Sequence, residues 1–400
     1  MSEQASLPPA TAPSLKAAAD AAAARGDLAG ARALLEQAVR ADAGDVGLWM
    51  SLAGCCRGLG DHEAAAAAVE GALRVDPRAF MALLMKASLI ERQGHAKAAA
   101  VAYGVALTQA PPDEALPPAV RGAVAHARQA HGAYTAELEA AMKAGIGGDL
   151  AAASPAAARR AGIFAERVAG KRRVYHQEPV QFHYPGLPEI EFHDRADFPW
   201  LEALEAATGD IRAELIEILR EDGDDLQPYV NYPEGTPLDQ WAELNRSSRW
   251  GAFHLYFDGR PVTWNAKRAP KTMAALARLP QPFVPGRSPA AMFSVLEPHT
   301  RIPPHTGVAN TRLVVHLPLI VPDGCGFRVG AETRQWREGE AWVFDDTIEH
   351  EAWNDSGQRR TILICNVWNP RLDEAERRAI TDLIGAMDRF NGAGPAGGQL

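Results

Sequence analysis

Gly26-Asp27, Gly60-Asp61 and Gly94-His95 recur at 34-residue intervals, and no other feature constrains the front of this chain as much. Ala31, Ala65 and Ala99 follow each pair at one offset, Ala38, Ala72 and Ala106 at another, and Pro77 and Pro111 punctuate two repeat ends. A period of that length, Ala-rich and poor in β-formers, predicts stacked pairs of helices joined by a Gly-containing turn. Small residues at fixed offsets let neighbouring helices approach closely. Glycine supplies a turn conformation that a Cβ would hinder.

This is the tetratricopeptide pattern, and residues 115–145 are expected to add another, less regular helix pair. Arrays of this kind commonly hold a peptide or partner on a concave face, which is here an analogy of fold. From about residue 175 the chain gains Trp, Tyr, Phe, Pro and His, with AAASPAAARR (151–160) near the expected linker. The expected organisation is a disordered stretch 1–14, helical repeats over 15–165, a β-rich domain over 175–388 and a disordered tail 391–400.

A formal charge of -9 argues against a nucleic-acid partner. No apolar run approaches the roughly 20 residues that span a bilayer, and MSEQASLPPATAP lacks a signal-peptide pattern, so no integral membrane contact is expected. The 4 cysteines, Cys55, Cys56, Cys325 and Cys365, form no CxxC pair. A reduced cytoplasmic protein is the simplest reading. Oligomeric state is left open.

Behind the boundary, residues 196–222 carry apolar positions at helical spacing, with Asp197 as a candidate cap. A shorter helix is expected over Pro270–Leu279, and RLDEAERRAITDLIGAMDRF predicts a C-terminal helix. RWGAFHLYFDGRPV reads as strand, Asp-Gly turn and strand start. The remaining short strands, AAMFSVLEP, NTRLVVHLPLIV, CGFRVG, TRQWREG, EAWVFDD and RRTILICNVW, are separated by turns without helical crossovers. The class is therefore α+β, with an antiparallel sandwich or barrel behind the helices.

Alternation along these strands gathers a site. Arg312, Val314 and His316 share one face of their strand, as do Arg360, Ile362, Ile364 and Asn366 of theirs. His305 and His350 come from separate strands. Two imidazoles suit Fe(II) where water or a cosubstrate fills the other positions, whereas zinc would want a third protein ligand. Gly307 stands where a triad carboxylate usually falls, and Asp345 and Asp346 are near His350 at an unfamiliar spacing. A buried Arg360 fits the far carboxylate of a 2-oxoacid, with Ser294 as a further hydrogen-bond donor. Taken singly, each of these residues has an ordinary structural explanation.

The order of these pieces resembles the aspartyl/asparaginyl β-hydroxylase family of Fe(II)- and 2-oxoglutarate-dependent oxygenases. PHTG with Asn310, Arg312-Leu313, His316-Leu317, ETRQWREGEAWVFDDTIEHEAWN and VWNPRL carry the likeness, and APKTMAAL extends it over roughly residues 180–385. The resemblance implies a double-stranded β-helix (jelly-roll) with flanking helices, and Fe(II), 2-oxoglutarate and O₂ as cofactor and cosubstrates. It implies that His305 and His350 are the iron ligands, that Arg360 and Ser294 hold the distal carboxylate of 2-oxoglutarate, and that His316 lies by its iron-proximal carboxylate. Gly307 agrees with a family that lacks the usual triad carboxylate.

One departure bears on the substrate. The animal members carry an arginine two residues before the histidine matched by His316, and this chain has Val314. Arg312, Lys267, His254 and Trp264 are the remaining candidates to line a substrate pocket. The implied acceptor is the β-carbon of Asp or Asn in a peptide or small protein, which the helical repeats could hold. The alternatives are a free amino acid, another small molecule or a lipid acyl chain, a scaffold without turnover, and a cupin-like enzyme independent of 2-oxoglutarate.

Overall fold

The computed structural model describes residues 11–150, 153–222 and 226–392. Two compact units divide between Lys171 and Arg172. In the first, α1 (Ala12–Ala24) pairs with α2 (Leu28–Ala41), α3 (Val46–Gly58) with α4 (His62–Val75), and α5 (Phe80–Arg92) with α6 (Ala96–Leu107). Gly26, Gly60 and Gly94 turn each pair at φ +84°, +79° and +85°, a region that side-chain-bearing residues rarely adopt. Asp27 and Asp61 then cap the following helix, accepting from the Gly30 and Ala64 N–H groups at 2.8 and 2.9 Å. Ala31, Ala65 and Ala99 are buried at these packed junctions.

The repeat stops where its chemistry stops. One period beyond Gly94, the residues are Arg128-Gln129. With no glycine to take the left-handed turn, the chain continues as one helix, α7 (Pro118–Leu150), instead of the expected pair over 115–145. Part of the expected linker is also helical: α8 spans Pro155–Val168, capped by the Ser154 side chain. Helix α1 starts at Ala12 with Pro13 in its first turn, so the end of the stretch 1–14 is helical. The rest of that stretch lies outside the described residues.

In the second unit, the helix expected over 196–222 is broken into α9 (Leu201–Ala206) and α10 (Thr208–Asp222). At the break, the Thr208 hydroxyl donates to the Glu205 carbonyl at 2.6 Å, a local bond that competes with regular helix. Asp194, not Asp197, caps the preceding 3₁₀ turn. The helix expected over Pro270–Leu279 is present as α12 (Pro270–Leu276), and a further short helix, α11 (Thr263–Arg268), precedes it. Pro270 lacks an N–H and disfavours helix at Ala269, which separates them. The C-terminal α13 (Glu374–Asn391) starts on a reciprocal Asp373–Glu376 cap. It takes in the first residue of the expected tail, and Gly392 closes it at φ +61°. Residues 393–400 lie outside the description.

The strands are β1 (Gln227–Pro228), β2 (Trp250–Phe257), β3 (Arg260–Pro261), β4 (Ala291–Leu296), β5 (Thr300–His305), β6 (Arg312–Ile320), β7 (Cys325–Val329), β8 (Glu332–Arg334), β9 (Trp342–Phe344), β10 (His350–Asn354) and β11 (Arg360–Trp368). They form two antiparallel sheets. The seven-stranded sheet has the order β1-β2-β4-β11-β6-β9 with β3 on β2, and the four-stranded sheet the order β5-β10-β7-β8. The strand expected from TRQWREG ends at Arg334, leaving Trp336 on a loop.

Period-two alternation splits the core of this unit in two. Phe293, Leu313, Val315, Leu317 and Leu363 pack against α9, α10 and α12. Met292, Val314, Ile362 and Ile364 point the other way, against Ile302, Phe327 and Ala352 of the smaller sheet. The architecture is α+β, a helical-repeat unit followed by a β-sheet unit. No helix among the described residues is long and apolar enough to cross a membrane.

His193 is one of several buried histidines expected to make the β-sheet unit acid-sensitive. His193 is 5% exposed, and neither ring nitrogen finds a partner among the described residues. Burial, with a smaller contribution from Arg371, lowers its pKa to about 4 from an ordinary 6.5. The neutral ring's contribution is complete above pH 6.5 and is lost as pH falls towards 4, because the unfolded chain takes up the proton first. That loss amounts to at most about 3 kcal/mol. His193→Phe removes both unpartnered nitrogens, so urea midpoints measured from pH 7 to 4.5 should decline less steeply in the variant. Identical slopes would mean that His193 does not drive the acid sensitivity.

Candidate metal and carboxylate site

The cavity between the two sheets is about 50 Å³. Its floor comes from strand pairing. On adjacent antiparallel strands, His305 ends β5, His350 begins β10, and the two are direct register partners. Their ring centroids are 4.1 Å apart. Each Nδ1 lies against a backbone carbonyl two residues back, Pro303 O at 2.7 Å and Ile348 O at 3.1 Å. Donation there assigns the proton to Nδ1 and leaves both Nε2 lone pairs free. Burial first, then the neighbouring His350, lowers His305 to about 3. Burial chiefly lowers His350 to about 4. Both rings are neutral at physiological pH, the state a metal requires.

Arg360 enters the same cavity from β11, 1% exposed. One Nη reaches the Ser294 carbonyl at 3.4 Å, and its Nε has no partner among the described residues. Among the described residues no carboxylate pairs with it. Burial accordingly draws its pKa down to about 10. The Trp336 ring lies 5.0 Å from the guanidinium, a cation–π contact that supports the charge without neutralising it. Ser294 is fully buried and accepts from Trp250 Nε1 at 3.1 Å, which leaves its own proton to donate into the cavity. His316 stands among Phe327, Phe344 and Trp336 with Nδ1 unpartnered. Burial, then Arg360 and His350, lowers its pKa well below the ordinary value.

Beside His305 a carboxylate takes the space of a missing side chain. A Cβ built on Gly307 would lie 2.0 Å from Asp346 Oδ2. That oxygen accepts from Arg312 Nη1 at 3.0 Å, while the buried Oδ1 has no partner among the described residues. Among the described residues no group of three or more His, Cys, Asp or Glu side chains is arranged to hold a metal. The donor set offers two imidazoles, with Asp346 lining the cavity but tied to Arg312.

The structure thus brings His305, His350, Ser294, His316 and Arg360 to one cavity, and leaves the four tentative substrate residues off its lining. Arg312 is behind Asp346. His254 is on β2 beyond the lining, and Lys267 and Trp264 are exposed on α11. Trp250, Tyr229 and Trp336 line the cavity without having been singled out from the sequence. For Trp250 the signal was present, since alternation along RWGAFHLYF puts it on the face of Ala252 and His254. Trp336 leaves no such pattern, because it follows the end of β8.

Fold and site together define a protein that joins stacked helical pairs to a two-sheet unit enclosing paired imidazoles and an unpaired guanidinium. Residues 205–370 match the family model for aspartyl/asparaginyl beta-hydroxylase, and residues 22–89 that for the tetratricopeptide repeat. At family level the chain therefore matches the aspartyl/asparaginyl β-hydroxylase domain, preceded by a match to the tetratricopeptide repeat region.

It is 38% identical to aspartyl/asparaginyl beta-hydroxylase of Mus musculus over 148 residues, covering 37% of this chain and 20% of that protein. It is 33% identical to ornithine lipid ester-linked acyl 2-hydroxylase of Rhizobium tropici, covering 48% of this chain and 66% of that one. Identity to aspartate beta-hydroxylase domain-containing protein 2 of Homo sapiens is 30%, covering 53% of this chain and 56% of that one. The match thus spans only a fifth of the mouse protein's length.

The crowding at Gly307 has a consequence that can be measured. Gly307→Asp should not add a metal ligand, because its Cβ meets a carboxylate that Arg312 holds in place. Overpacking of this kind costs about 1–3 kcal/mol. A lowered melting temperature with no gain in Mn(II) affinity is expected; unchanged melting with tighter metal binding would show that Asp346 moves aside.

Proposed function

We propose that the β-sheet unit is an Fe(II)- and 2-oxoglutarate-dependent hydroxylase on a double-stranded β-helix, with O₂ as the second cosubstrate. The observation that carries this reading is Arg360. Burying a guanidinium without a counter-ion costs several kcal/mol, and such a cost is recovered when the cavity receives an anion. A dicarboxylate supplies one carboxylate for Arg360 and the Ser294 hydroxyl, and a second for His316 near the imidazoles. His305 and His350 are the residues that would hold the iron, through Nε2. Iron supplies the oxygen chemistry when bound. The chain's residues orient the cosubstrate, keep the imidazoles neutral and exclude water from an aromatic-walled cavity.

In this reading residues 15–165 form the tetratricopeptide-like domain and 175–388 the oxygenase domain. The family name points to the β-carbon of Asp or Asn in a peptide or protein as the acceptor, with the helical repeats holding the peptide. A free amino acid, another small molecule or a lipid acyl chain is the second reading, favoured by Val314, Met292, Ile302 and Ile364, which give the cavity hydrocarbon walls. Incubation with lysate or a peptide library under 2-oxoglutarate and ¹⁸O₂ distinguishes the two, since label confined to lipids or metabolites removes the peptide acceptor.

Arg360→Ala should weaken 2-oxoglutarate binding by about 2–5 kcal/mol, the loss typical of a buried charged hydrogen-bond partner. Metal affinity should change little, and Arg360→Lys should recover only part of the loss because the planar fork is gone. Calorimetric titration showing wild-type 2-oxoglutarate affinity in Arg360→Ala would remove this residue from the cosubstrate site. His350→Ala should abolish succinate formation. Persistence at the wild-type rate would exclude it as an essential ligand, and a wild type that never forms succinate would favour a scaffold.

A further inference from the structure

The inward face of the large sheet continues beyond the imidazole cavity. Val314 on β6 and Ile364 on β11 line that cavity. The next inward positions on the same strands, Arg312 and Asn366, line a second cavity of about 70 Å³. Its apolar walls include Phe182, Val284, Ala309 and Trp368. The Asp346–Arg312 ion pair links the linings of the two spaces, with Asp346 on the first and Arg312 on the second.

The polar groups left unused here are of one kind. Arg312, 8% exposed, gives one N–H to Asp346, its single protein partner among the described residues. Asn366 Oδ1 accepts the Ala290 N–H at 3.1 Å, which leaves its amide NH₂ for the cavity. Thr311 lines the same space. Arg287, the other cation of the lining, is held by Asp388 at 2.7 Å. Among the described residues the lining carries no carboxylate, and Arg312 and Asn366 offer it spare N–H donors, so an oxygen acceptor fits better than an ammonium. At 10–15 Å³ of such volume per water, the space holds about five waters, the size of a short chain or small ring.

We propose that this second cavity is a subsite for a short apolar group bearing a hydrogen-bond-accepting oxygen, a carboxylate or a carbonyl. It would anchor the molecule whose neighbouring carbon enters the imidazole cavity, a role that rests on the oxygenase reading of that cavity. One inward step along β6 places this anchor about 7 Å beyond Val314, at two residues of about 3.4 Å each. The acceptor carbon then lies against hydrocarbon, and the polar recognition occurs one rung further on.

The test is calorimetric titration of the full-length, Mn(II)-loaded protein with hexanoate, hexanamide and hexylammonium, with and without saturating 2-oxoglutarate. Hexanoate or hexanamide should bind in both conditions, and which of them binds tells carboxylate from carbonyl recognition. Hexylammonium should not bind. Ala309→Leu, which fills the cavity, should weaken the bound probe at least tenfold. Val284→Phe serves the same purpose if the first variant fails to fold. No binding, equal binding of hexylammonium, displacement by 2-oxoglutarate, or unchanged affinity in a folded filled variant would each overturn the proposal. A wild type that binds hexanoate but not 2-oxoglutarate would instead sink the oxygenase reading and leave the subsite standing.

Discussion

Strand β11 is buried along all nine residues, and its register between β4 and β6 is the constraint on which the rest of the β-sheet unit depends. Because side chains alternate, a slip of one residue would exchange its two faces. Arg360 and Asn366 would then enter the hydrocarbon packed on α9, α10 and α12, while Leu363 and Val367 would face the cavity. Burial on both sides fixes the pairing strongly. The same pairing sets where β6 presents His316 and Arg312, so the positions of the site residues follow from packing that is itself apolar.

Within the cavity, electrostatics runs against ordinary core rules. A neutral interior would pair Arg360 with an acid; instead Asp346, which lines the same cavity, is taken by Arg312. Aromatic rings complete the enclosure. Trp241 meets His305 edge-on at 5.0 Å, and Tyr229 stacks on Trp250 at 3.9 Å. Rings of this size exclude water from the imidazoles and hold Trp250 where its N–H reaches Ser294. The tilt of the functional groups is therefore secured by residues with no chemistry of their own.

The helical unit obeys a simpler rule. Each hairpin needs a residue that can take positive φ, an acidic cap for the next helix and small side chains where helices touch. Where all three coincide, the chain turns. At the third turn His95 supplies no side-chain cap, yet glycine and the buried Ala99 still suffice. Where glycine is missing, at Arg128, α7 continues. Arg32 adds a tie between successive repeats through Asp61, at 2.8 Å.

By itself, the sequence determined the features that are local or periodic. The spacing of Gly26, Gly60 and Gly94 gave three helical pairs, since turn conformation and capping act over a few residues. Alternation along β6 and β11 sorted inward from helix-facing side chains, since strand geometry has a fixed period of two. Tertiary structure decided what depends on distance through space. The break at Thr208 and the short β8 depend on individual side-chain bonds and packing that no period announces. That Asp346 occupies the space beside Gly307, that Arg360 stays unpaired, and that Trp336 lies against its guanidinium could not be read along the chain, because each is a contact between segments tens of residues apart brought together by sheet register.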